Sequence, residues 1–91
     1  MIIALPNVPD WGVEERDMLE VLLDGKDHRV KSFYHDPEVN PEQQASYHSA
    51  YQTMKRIRKK LKRYETHVDV ITVVKGRVHY WKLIRLFQSE E

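Results

Sequence analysis

The chain contains no cysteine, which excludes disulfide staples, thiol nucleophiles and any zinc site built on sulfur, and which suits a reducing compartment. Glycine is scarce: Gly12, Gly25 and Gly76 are the only three. They are too far apart for a phosphate loop or a dinucleotide fingerprint, and no serine sits in a nucleophile elbow. A long hydrophobic run is also missing. The apolar opening Met1-Ile2-Ile3-Ala4-Leu5 lacks a basic leader and is halted by Pro6, so the sequence predicts no signal peptide, no membrane span and a cytoplasmic protein. The histidines, His28, His35, His48, His67 and His79, supply no pair three or four residues apart on one helix, so no metal site is expected. Glu14-Glu15 reads as helix-start charge rather than a catalytic carboxylate pair. No active site follows, and neither a cofactor nor a small-molecule ligand is expected.

What the chain does have is charge, unevenly placed. A net charge of +1 conceals ten acids against four Lys/Arg in residues 1–42, and four acids against eleven Lys/Arg in residues 43–91. Such asymmetry is the mark of a basic binding face, most often for nucleic acid or an anionic surface. With 91 residues there is room for one core only. The reading divides the chain into an N-terminal arm (1–12), one domain (13–88) and a short tail (89–91).

Asp10, followed by acids at 14 and 15, predicts a helix start, and Met18, Leu19, Leu22 and Leu23 give 13–24 one apolar stripe ended by Gly25. The polar connector Lys26 to Val30 has room for one short strand. Ser32 to His35 suits a brief second helix before Pro37. Asn40-Pro41-Glu42-Gln43 has the form of a capping box with proline at the first helical position, and it opens a long helix over 41–64. Within it Tyr47, Ala50, Tyr51, Met54, Ile57, Leu61 and Tyr64 repeat at helical spacing as the buried side. His67 to Val74 is almost wholly β-branched, and Val78 to Leu86 is aromatic and aliphatic. The intervening Lys75-Gly76-Arg77 makes these a hairpin whose central pair the sequence leaves open. Strict alternation puts either Tyr80 or Trp81 on the outer face.

Residues 55–63 hold seven cations in nine positions. Like charges three and four apart cost a helix about 0.2–0.5 kcal/mol per pair, and only Glu65 stands close by in sequence to relieve them, so an anionic ligand is expected. With Met54 as the centre of the buried side, steps of about 100° put Ser49, Gln52, Arg56, Lys59, Lys60 and Arg63 on the opposite face, with His48, Thr53 and Lys55 on its flanks. The N-terminal half of that face carries short hydrogen-bonding groups suited to base edges; the C-terminal half carries long cations suited to phosphates. Gln52 and Arg56 are the leading base readers.

The run Thr53-Met54-Lys55-Arg56-Ile57-Arg58-Lys59-Lys60-Leu61 resembles the recognition helix of a winged helix-turn-helix domain of the small prokaryotic or phage type. Gly76-Arg77-Val78-His79-Tyr80-Trp81-Lys82-Leu83 likewise resembles that family's wing. The resemblance covers residues 13–86 and implies an α+β fold of three helices followed by a two-stranded antiparallel hairpin. It implies base contacts from Ser49, Gln52, Thr53 and Arg56 and wing contacts from Lys75 and Arg77. Two departures stand out: the family commonly has glycine after the recognition helix, where this chain has Tyr64-Glu65, and the helix here is longer than usual.

Taken together, these features predict a protein without enzymatic activity that binds double-stranded DNA, as a transcriptional regulator or an accessory factor of a mobile element or virus. A homodimer is expected, with Met1 to Leu5 and the outer side of the first helix as its contact surface. Two other readings are a winged-helix adaptor that sets the basic helix against an acidic partner, and a single-strand or RNA binder that uses exposed aromatics.

Overall fold

The computed structural model describes residues 2–34 and 47–86. Helix α1 (Val13–Val21) continues into a 3-10 turn, Leu22–Asp24, and Gly25 closes it in the left-handed conformation at φ 73°. The cap is Gly12 rather than Asp10: the Glu15 carboxylate reaches back to accept the Gly12 N–H at 2.9 Å. This is the glutamate half of a capping box; glycine has no hydroxyl to supply the other half. Leu19 and Leu22 are fully buried, with Met18 and Leu23 packed at their side.

A short strand, β1 (His28–Arg29), occupies the connector and leads into a second 3-10 turn, Val30–Phe33, in place of an α-helix. Helix α2 (Tyr47–Arg63) follows. The N-terminal part of the expected long helix, including its capping box, lies outside the described residues, as do His35 and Pro37. Strands β2 (Val68–Lys75) and β3 (Val78–Arg85) form the hairpin. Lys75 faces Val78 across the ladder, which settles the loop as Gly76-Arg77. Gly76 takes φ 64° and Arg77 no positive angle, the pattern of a type II′ turn with glycine first.

The fold is α+β, and the short strand for which the connector had room is present, but the expected three helices need correction. Among the described residues there are two α-helices and a three-stranded antiparallel sheet in the order β1-β3-β2. His28 pairs with Trp81 and Arg29 with Tyr80, so the connector supplies a third strand. Trp81 is the inward ring, 2% exposed. It lies 5.3 Å from Phe33 and 5.2 Å, edge to face, from Tyr51. Tyr80 takes the outer face. Ala50, Met54, Ile57 and Leu61 of α2 meet Val68, Val70 and Leu83 of the sheet in one core. Tyr64, expected inside, is 37% exposed.

The N-terminal segment is not a loose arm. Ile3 is buried and its N–H donates to the Leu23 carbonyl at 2.7 Å, while the Trp11 indole N–H donates to the Pro6 carbonyl at 3.1 Å. Met1 is not among the described residues; Ile3 joins the core and Leu5 packs partly against it, while Ile2 and Ala4 are exposed.

Candidate nucleic-acid interface

Helix α2 offers the described residues' densest positive charge, and its burial decides which cations are offered. The inward residues are Ala50, Thr53, Met54, Ile57 and Leu61. At about 100° per residue their mean direction lies roughly 45° from Met54, toward Ile57 and Ala50. The outward face turns by the same angle. It holds His48, Gln52, Lys55, Lys59, Lys62 and Arg63, all exposed, and Lys62 is an addition to the face expected from the sequence.

Three expected contacts move out of that face. Thr53 is only 3% exposed; its hydroxyl donates to the Ser49 carbonyl at 3.0 Å and accepts from Arg56 Nη2 at 3.2 Å. Arg56 Nε also meets Glu15 Oε2 at 3.2 Å. Lys60 Nζ lies 2.7 Å from Glu15 Oε1 and 2.6 Å from the Asp10 carbonyl, with the Trp11 ring beside it. Glu15 is thus a buried carboxylate shared by two cations and a backbone N–H. Burial pushes its pKa upward, but the hydrogen bonds from Lys60, the Gly12 N–H and Arg56, with the Lys60 charge, hold it below the ordinary glutamate value. Sequence reasoning assigned Glu15 to helix-start charge alone; its place three residues after Gly12 was the signal for more.

At the hairpin tip, Lys75 is drawn onto Asp27 at 2.6 Å and over the Tyr80 ring, and that carboxylate raises its pKa. Arg77 stays exposed at the turn. Arg58, also passed over in the sequence, forms a two-pronged contact to Asp69, Nε to Oδ1 at 3.2 Å and Nη2 to Oδ2 at 3.3 Å. Arg63 stands over the Tyr64 ring. Ser49 is half-buried, and the Gln52 amide donates to His48 Nε2 at 3.0 Å.

Among the described residues no ion pair engages Lys55, Lys59 or Lys62. They recur at four and then three residues, a row about 10 Å long. Beside them a groove of about 800 Å³ opens between α2 and the outer ends of the hairpin, with Leu61, Val68 and Leu86 in its lining. Lys55, Lys59 and Lys62 give it ammonium groups and positive charge, and its lining also holds Glu65 and Asp69, the latter taken up by Arg58.

No known protein family, curated protein or solved structure matches this chain. The site is therefore read from its own chemistry. No helix among the described residues is long and apolar enough to cross a membrane, and no group of three or more His, Asp or Glu is placed to hold a metal there.

Proposed function

We propose that the protein binds double-stranded DNA, with α2 lying along the major groove and the hairpin tip on the backbone, in the manner of a winged helix-turn-helix protein. One observation carries this reading: the ridge Lys55, Lys59, Lys62 is solvent-facing and, among the described residues, in no ion pair, while neighbouring cations of the same run are neutralised by acids of the same molecule. Repulsion along an unpaired row is repaid by a polyanion, and release of its counterions supplies affinity. Further support comes from the order of elements, in which a short strand precedes the long helix and pairs with the last strand of a Gly-tipped hairpin.

In this proposal Lys55, Lys59, Lys62, Arg63 and Arg77 contact phosphates. Gln52, at the N-terminal end of the ridge, contacts a base edge. Thr53, Arg56, Lys60 and Lys75 hold the fold, because each is engaged within the molecule. A regulator, or an accessory factor of a mobile element or virus, acts in this way by occupancy and needs no catalytic group.

Fluorescence anisotropy against duplex DNA at rising salt tests the proposal. Neutralisation of about five phosphates gives a slope of log K against log salt near −4.5, and Lys59→Ala flattens it by about one. Gln52→Ala relaxes preference at one base pair by roughly 1–3 kcal/mol. Absence of duplex binding at low salt overturns the proposal in favour of a protein adaptor; stronger competition by single strands overturns it in favour of the RNA or single-strand reading.

A further inference from the structure

Strand β2 is an edge. The sheet order β1-β3-β2 gives its outer side no partner strand among the described residues, although the Val70 N–H donates to the Asp69 carboxylate at 2.8 Å. The ladder to β3 is continuous, with each residue from 68 to 75 matched to one partner and no bulge. The strand contains no proline and five β-branched residues in succession, Val70 to Val74. Proteins generally blunt an open edge of this kind with a bulge, a proline, a very short strand or charged side chains, and here only charge is present, Asp69 and Lys75 at the two ends. Ile71, Thr72 and Val74 are exposed, Val74 at 56%.

We propose that this edge pairs, antiparallel, with the β2 edge of a second copy, across a two-fold axis at Thr72. The sequence Asp69-Val70-Ile71-Thr72-Val73-Val74-Lys75 is complementary to itself when reversed. Centred on Thr72, the register sets Asp69 opposite Lys75 of the second copy at both ends. Val70 then faces Val74, Ile71 faces Val73, and Thr72 faces Thr72. Every pair keeps its face of the sheet: Val70, Thr72 and Val74 lie on the helix side, Asp69, Ile71, Val73 and Lys75 on the outer side. A register shifted by one residue would set helix-side residues against outer-side ones. Shifts by two lose both ion pairs. Opposite charges, aliphatic pairs and a Thr-Thr pair directly across antiparallel strands are each favourable. In the single chain Asp69 meets Arg58 and the Val70 N–H, and Lys75 meets Asp27 across the sheet, so the pairs between copies form by exchange. Asp69 gives up the Val70 N–H, and Lys75, its side chain 62% exposed, turns from Asp27 to the facing Asp69.

A two-fold axis perpendicular to the sheet keeps both copies of α2 on the same side. The two lysine ridges then face one way, as two-site recognition of a duplex requires. The pairing itself does not depend on the DNA reading. A single pair of edges falls at the small end of interface sizes, so the dimer is a concentration-dependent one.

Sedimentation equilibrium on the full chain without DNA, from micromolar to near-millimolar concentration, should show the mass rising from 10.9 kDa toward twice that value. Thr72→Lys places two ammonium groups across the axis and should abolish the rise, with circular dichroism unchanged and, at concentrations where both proteins are monomers, thermal midpoint unchanged, because position 72 is exposed. Thr72→Cys gives the chain its sole thiol; paired α-carbons in an antiparallel ladder stand within disulfide reach. Mild oxidation should crosslink it quantitatively, whereas Lys62→Cys on the ridge should not crosslink. A monomer at every concentration overturns the proposal, as does a dimer that survives Thr72→Lys or equal crosslinking at both positions.

Discussion

Glu15 is the residue on which the two helices are fastened. Its carboxylate lies at the start of α1, where negative charge suits the helix dipole, and takes both Arg56 and Lys60 from α2. Replacement by Gln leaves the shape and removes the charge that compensates two cations, so Glu15→Gln should cost about 2 kcal/mol in denaturant unfolding at neutral pH. The pH dependence has a definite sign. The folded pKa lies below the ordinary 4.5, so the folded state binds its proton less readily than the unfolded chain does. The contribution is full above the unfolded value and disappears as pH falls through the folded one. The stability gap between the native protein and Glu15→Gln should therefore close on acidification, measured by thermal melts from neutral pH to about pH 3. Asp24 and Asp27 are held low as well, Asp24 by the Lys26 N–H and His28, Asp27 by Lys75, and they lose stabilisation in the same direction.

At the scale of elements, the end of α2 answers the departure noted after Arg63. The Thr66 N–H donates to the Leu61 carbonyl at 3.1 Å and the Glu65 N–H to the Lys62 carbonyl at 3.2 Å, the bonding of a Schellman cap. Such a cap needs a left-handed residue, and Glu65 takes φ 50° where glycine is usual. The conformation costs a side-chain-bearing residue roughly 1–2 kcal/mol. Glu65→Gly should raise the unfolding free energy by about 1 kcal/mol, read as a higher denaturant midpoint at constant slope. The helix itself was legible in its apolar spacing and the hairpin in its β-branched runs. The phase of the helix was not. Met54 is one of five inward residues, and the polar Thr53 is inward as well, so a centre chosen from hydrophobicity alone lies off the true one. That error exchanged Lys62 for Lys60 and Thr53 in the binding face.

Across the whole molecule, the uneven charge of the two halves folds partly upon itself. Glu15 and Asp27 from the acidic half neutralise Arg56, Lys60 and Lys75 from the basic half, and what escapes is concentrated on one ridge of α2 and at the hairpin tip. The ridge is held in place by a single core whose largest member is Trp81, touching Phe33 and Tyr51. Trp81→Ala should cost about 3–5 kcal/mol, a large share of the total stability of a small domain. Loss of cooperative melting, or a large fall in its midpoint, checks this by calorimetry. The edge of β2 is a property of the same scale: a strand is an edge only once its sheet has been assembled.

The sequence by itself determined the α+β class, the long cationic helix, the Gly-tipped hairpin and the exclusion of cysteine and glycine-loop chemistry, because each rests on local periodicity, turn stereochemistry or the mere presence of a residue type. The tertiary structure alone decided which cations remain free, which ring faces inward and where the N-terminal segment lies. Those depend on contacts such as Glu15 with Lys60, 45 positions apart, and pairing across that distance leaves no periodic trace in the chain.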